Sequence, residues 1–135
     1  MDHHRDGTLE RRYPATAQAV PMVRHAIVEL ATRLGADQQR RASIALAVTE
    51  GCSNVVLHAY REAREQGEML IRAEGDAQRL EVTVSDEGSG MSPRPDSPGL
   101  GLGLPLMAEL AERMEFRPSP AGHGTELHLR FALTP

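Results

Sequence analysis

The 135-residue sequence contains no lysine: all 15 of its basic residues are arginine. A phosphate-binding loop that sets a lysine beside the phosphates is therefore excluded, as is Schiff-base catalysis. There is one cysteine, Cys52, so neither an internal disulfide nor a cysteine metal cluster can form, which fits a reducing compartment. Aromatic residues are only 3%, and the core has to be built from Leu, Val, Ile, Ala and Met. No apolar run is long enough to span a bilayer, and the opening MDHHRDG lacks the apolar region of a signal peptide. A cytoplasmic protein with no membrane association is expected. An excess of positive charge is missing too. The net charge of −4 argues against a general nucleic-acid binder.

What remains is an ordinary globular balance, 40% hydrophobic and 25% charged, in a length that suits one domain with one core. Residues 1–8 read as a flexible polar N-terminus, with His3 and His4 frayed rather than metal-bound. Residues 9–135 read as a single domain.

Residues 9–14 form a candidate edge strand. Over residues 17–34, Val20, Val23, Ile27, Leu30 and Leu34 recur at helical spacing, and Pro21 fits only in the first turn. Gly35 suits the position after that helix, and Asp37 suits the cap of a second helix over residues 38–60. Residues 68–74 and 79–86 alternate as strands around a turn at Gly75-Asp76. A third helix is expected from Leu102 to about Met114, with Pro105 in its first turn. Strands follow at 114–118 and 125–133. The order β-α-α-β-β-α-β-β, rich in adjacent hairpins, predicts an α+β fold: a two-layer α/β sandwich with a mostly antiparallel mixed sheet and helices on one face.

The second helix carries an unusual polar stripe. In IALAVTEGCSNVVLHAY, Ile44 to Tyr60, nearly every position except Glu50, Asn54 and His58 is apolar or small. Spacing by four puts these three in one sector. No arginine lies between Ala42 and Tyr60 to pair the acid. An isolated carboxylate in such surroundings is costly to bury. One reading is a glutamate that reaches an arginine on another element. The other is a general base at Glu50, with Asn54 offering a neutral oxygen to Mg²⁺.

Two glycine clusters follow. Asp86 ends a strand and precedes Gly88 and Gly90, which permit a tight turn and the close approach of a planar ligand. An ionised aspartate is purely an acceptor, suited to the exocyclic amine of adenine. Taken alone, D-x-G-x-G is a weak signal and more often marks a loop with no ligand. The second cluster, Gly99 to Leu104, runs into a helix, where exposed N–H groups can hold an anion. Its other reading is glycine for close helix–sheet packing. Between the clusters, Met91 to Pro98 holds three prolines and reads as a short lid or a plain surface loop. Gly122-His123-Gly124-Thr125 opens the last strand, as a hairpin turn or as a turn whose threonine donates to a phosphate.

In their order, E-G-C-S-N-V-V-L-H-A-Y (Glu50 to Tyr60), D-E-G-S-G (Asp86 to Gly90), G-L-G-L-G-L (Gly99 to Leu104) and G-H-G-T (Gly122 to Thr125) resemble the asparagine box and the three glycine boxes of the GHKL ATPase superfamily. Within it, the chain resembles the small anti-sigma-factor serine kinases of bacterial partner-switching systems. The resemblance covers residues 10–133 and implies the Bergerat fold. It implies ATP as substrate and Mg²⁺ as cofactor. Asn54 would hold Mg²⁺ and phosphate, and Asp86 would read adenine. Gly88, Gly90 and Met91 would shape the base pocket. Gly99, Leu100, Gly101, Leu102, Gly103, Leu104 and Thr125 would border the phosphates. Glu50 would accept the proton of a serine on an anti-anti-sigma antagonist. His58 falls on the motif's histidine and reads as structural. The resemblance also implies a homodimer that sequesters a sigma factor.

Three other classes compete. A non-catalytic module would bind ATP and a sigma factor or antagonist without transfer. A histidine kinase fragment would need a phosphoacceptor helix pair, and His25 has no such surroundings. A methyltransferase would need a βαβ unit after Asp86-x-Gly88-x-Gly90, where the chain has proline-rich residues instead.

Overall fold

The computed structural model describes residues 3–5, 7–59, 67–87, 100–120 and 123–134; of these, 3–5, 58–59 and 100–104 are described through their backbone alone. Six strands, mostly in sequential pairs, and three α-helices are found among the described residues. β1 (His3–Arg5) and β2 (Thr8–Pro14) precede the helical pair α1 (Ala19–Arg33) and α2 (Gln38–Asn54). β3 (Glu68–Gly75) and β4 (Arg79–Asp86) come next, then α3 (Leu100–Leu110), β5 (Arg113–Pro118) and β6 (Thr125–Ala132). The strands form one sheet in the order β1-β2-β3-β4-β6-β5. Every described pairing is antiparallel, so the sheet is antiparallel rather than mixed over these residues.

Strand alternation builds the two-layer form. Leu80, Val82 and Val84 of β4 are fully buried, as are Met69 and Ile71 of β3 and Leu127 of β6. Ile27 and Leu30 of α1, Ile44 and Val48 of α2 and Met107 of α3 close over them. The other face carries charge, because the alternate residues of the same strands are Arg72, Glu74, Glu81, Glu126 and Arg130. The expected α+β sandwich, with its helices on one face, is what forms.

Helix ends follow the expected chemistry. Asp37 is the N-cap of α2, and its carboxylate accepts the Arg40 N–H at 2.8 Å. Gly35 takes a φ of +102°, and the Ala36 N–H donates to the Ala31 carbonyl at 2.9 Å, which closes the end of α1. Pro21 lies in the first turn of α1.

Several boundaries differ from expectation. The N-terminal stretch is not frayed at residues 3–5, which pair with β2 and make β2 an interior strand rather than an edge. The second helix is regular only to Asn54; Val55–Ala59 continue as a π-helical turn, and Tyr60 is outside the described residues. The third helix starts at Leu100 and ends at Leu110, so Met114 belongs to β5. Pro105 then lies inside α3 instead of in its first turn. Lacking an N–H, it cannot donate to the carbonyl four residues back. The last strand ends at Ala132, with Leu133 buried just beyond it.

Candidate functional site

The helix-facing side of the sheet changes character at one end of β4. Leu80, Val82, Val84 and Asp86 share that side, and the last of them is a carboxylate that is only 1% exposed. Ser85 pairs with Glu126 in the register of β4 and β6. One further step along both strands brings Asp86 beside Thr125, which is also buried. Two of the residues picked out in sequence are thus neighbours, although 39 positions separate them.

The turn at His123-Gly124 contributes through its backbone. Gly124 takes a φ of +89°, and a Cβ there would lie 2.7 Å from the Asp86 carbonyl carbon and 2.7 Å from the Glu87 Cα. Only glycine fits both that dihedral and that approach. The His123 Nδ1 lies 2.6 Å from the Glu87 carbonyl oxygen.

α2 brings its polar residues to the same side of the sheet through a second close approach. A Cβ on Gly51 would lie 3.0 Å from Leu127 Cδ2, 3.7 Å from Met107 Sδ and 3.9 Å from Val84 Cγ2. Gly51 therefore seats the helix on β4, β6 and α3. Asn54 follows one turn on and is 3% exposed. Among the described residues its side-chain amide has no hydrogen-bond partner. An amide so placed can offer its oxygen to a ligand.

Glu50 sits at the border of this buried face. It is partly buried, and among the described residues no arginine pairs with it. Next to it on α2, Thr49 Oγ1 accepts from Arg24 Nη1 at 3.3 Å. At about 100° per residue, Leu46, Ser53 and Leu57 flank Glu50 on the outer side of the helix. Leu46 is 42% exposed and Leu57 is 59% exposed. Cys52 points the other way, into the core. Burial pushes its thiol up to about 12, so it is an apolar packing residue and not a nucleophile.

α3 changes the expected anion site. Residues 100–104 lie within the helix itself, so its first-turn N–H groups come from Leu100, Gly101, Leu102 and Gly103. Gly88, Gly90, Met91 and Gly99, with the lid from Met91 to Pro98, lie outside the described residues. The backbone of His58 lies in the π-helical turn. Among the described residues no cluster of His, Cys, Asp and Glu has the makings of a metal centre. The donor set that is present, one neutral amide oxygen at Asn54, fits Mg²⁺ that takes its other ligands from phosphate and water.

A family profile described as a histidine kinase-like ATPase domain matches residues 13–131. The chain belongs to this family. A serine-protein kinase RsbW from Halalkalibacterium halodurans is 32% identical over 132 residues, covering 87% of this chain and 80% of the relative. The RsbW kinase of Bacillus subtilis is 38% identical over 80 residues, 59% of this chain and 49% of its own length. The chain thus spans most of the one relative and about half of the other. The crystal structure of the RsbU and RsbW domains of Rv1364c from Mycobacterium tuberculosis superposes with a TM-score of 0.69 at 25% identity, covering 95% of this chain and 33% of that one. A histidine kinase domain from Erythrobacter litoralis shares the fold, with a TM-score of 0.56 at 23% identity. In this histidine kinase-like ATPase domain, the resemblance read from four short motifs extends over nearly the whole chain. Sequence reading missed two features of the site: the seat at Gly51 and the clamp of His123 on Glu87. Gly51 was legible as a small residue inside the motif, but its neighbour across the sheet was not.

Proposed function

We propose that this protein is an ATP-dependent protein-serine kinase and anti-sigma factor. It phosphorylates a serine on an anti-anti-sigma antagonist and sequesters a sigma factor. The RsbW kinases among its relatives support this reading. The observation that carries it within the chain is the pair on α2: a partly exposed Glu50 with no ion pair among the described residues, one turn from a buried Asn54.

Each residue has a part in the proposed reaction. The Glu50 carboxylate takes the proton from the serine Oγ as that oxygen attacks the γ-phosphorus. The bond from that phosphorus to the β,γ-bridging oxygen breaks, and ADP leaves with the electron pair. Such a transfer depends on positioning and on charge neutralisation, since the protein forms no covalent bond. Asp86 accepts the exocyclic amine of adenine, and Thr125 and the first turn of α3 face the phosphates. Asn54 is the protein ligand of Mg²⁺, which neutralises phosphate charge when bound. A homodimer and a cytoplasmic location belong to the same proposal. Among the described residues no helix is long and apolar enough to cross a membrane.

The test is direct. The full chain is incubated with radiolabelled ATP, Mg²⁺ and candidate antagonist domains, and label is sought on a serine. Tight ATP binding with no label on any antagonist would favour the non-catalytic module instead.

A further inference from the structure

We infer that His123 is a positioning residue for the nucleotide base, acting through Asp86 without touching the ligand. The inference rests on the proposed reading of Asp86 as the adenine acceptor.

Glu87 is the first residue beyond the end of β4. Its carbonyl oxygen lies 2.6 Å from the His123 Nδ1. A carbonyl only accepts, so the proton sits on Nδ1, and the imidazole is the donor. The next residue, Gly124, lies against the Asp86 carbonyl with a backbone that no side chain could share. The Gly124 carbonyl in turn accepts the Ser119 N–H at 3.2 Å, which ties the turn to the end of β5. The Asp86 carbonyl is therefore packed against the Gly124 backbone, and the carbonyl of the next residue, Glu87, is held by the imidazole. The Asp86 side chain points toward the helix-facing side. A strand end held in this way keeps a carboxylate in one direction, and an acceptor that reads one amine needs a fixed direction. His123 itself is exposed, so removing its ring opens no cavity in the core.

The test uses ADP binding to the full chain, measured by calorimetry, with GDP as the competing base. His123→Ala is expected to weaken ADP about tenfold, the size of one lost hydrogen bond, and to narrow the preference over GDP. His123→Asn, which keeps a short donor, recovers part of the affinity. The maximal rate at saturating ATP stays near that of the parent while KM rises. Proton–nitrogen spectra of the unliganded protein place the ring proton on Nδ1. Asp86→Asn is measured alongside. Unchanged ADP affinity in His123→Ala beside a weakened Asp86→Asn overturns the positioning role alone. Unchanged affinity in both overturns the reading of Asp86 and this inference with it. A weakened His123→Ala beside an unchanged Asp86→Asn also overturns it, because His123 would then act by another route.

Discussion

Two glutamates on opposite sides of the sheet show how differently one molecule treats the same side chain. Glu126 lies on the open face of β6 and is only 7% exposed. Arg72 donates to it at 2.8 Å and Ser85 at 3.1 Å, and the His128 Nε2 lies 3.1 Å away. Thr83 contacts the same imidazole at 3.2 Å. Glu50 lies on the helix side with no ion pair among the described residues and two exposed leucines for company. A buried carboxylate left without partners is expensive, so an acid whose purpose is structural is surrounded by donors. The acid proposed to move a proton is kept accessible and uncommitted. The difference is between an acid saturated with donors and one with no ion pair among the described residues.

The sharpest way to break the comparison is to neutralise each acid in turn. Glu50→Gln should lower phosphoryl transfer to the antagonist by about 10² to 10⁴, the usual worth of a general base, while ATP affinity and melting temperature stay close to the parent. Unchanged transfer would remove Glu50 from the mechanism. Glu126→Ala should do the reverse, costing about 1–3 kcal/mol in urea unfolding because Arg72 and His128 lose their acceptor, with ATP affinity preserved. A loss of transfer without a loss of stability would show that the open-face network serves the reaction. A smaller effect concerns Cys52, two residues from Glu50 but turned into the core. Its thiol, raised to about 12, should resist alkylation at pH 8 in the folded protein and react at an ordinary rate in urea. Labelling of the folded chain would place the buried face of α2 in contact with solvent. The smallest effect is at the start of α2. The Asp37 carboxyl is held below its ordinary value of 3.8, chiefly by the Arg40 backbone N–H. A group depressed on folding stabilises above its unfolded value, and that contribution disappears as pH falls through the folded value. Asp37→Ala should therefore melt slightly lower than the parent at neutral pH, and the gap should close in acid below 3.8.

The motif stripe was legible because spacing by four is a property of any α-helix, and Glu50 and Asn54 do lie on one such helix. The alternation of β4 and β6 was legible for the same local reason. The start of α3 was misplaced because glycine and proline both argue locally against a helix, whereas Leu100–Leu104 are helical. β1 was missed because a three-residue strand has no periodicity of its own and exists only through its pairing with Thr8, Leu9 and Glu10. Whether Glu50 had an arginine partner could not be read locally, since such a partner would come from another element.

By itself, the sequence determined the chemistry on offer: no lysine, a single thiol, an acid and an amide four residues apart, and glycines at the turns and inside the α2 motif. These follow from residue identity and short-range spacing. Only the tertiary structure decided which of them meet. Asp86 and Thr125 become neighbours through the register of β4 and β6, and Asn54 comes over the same side of the sheet because Gly51 lets α2 settle against Leu127. It also decided that Glu126 is saturated while Glu50 has no ion pair among the described residues, because burial and partnership are properties of surfaces brought together from distant parts of the chain.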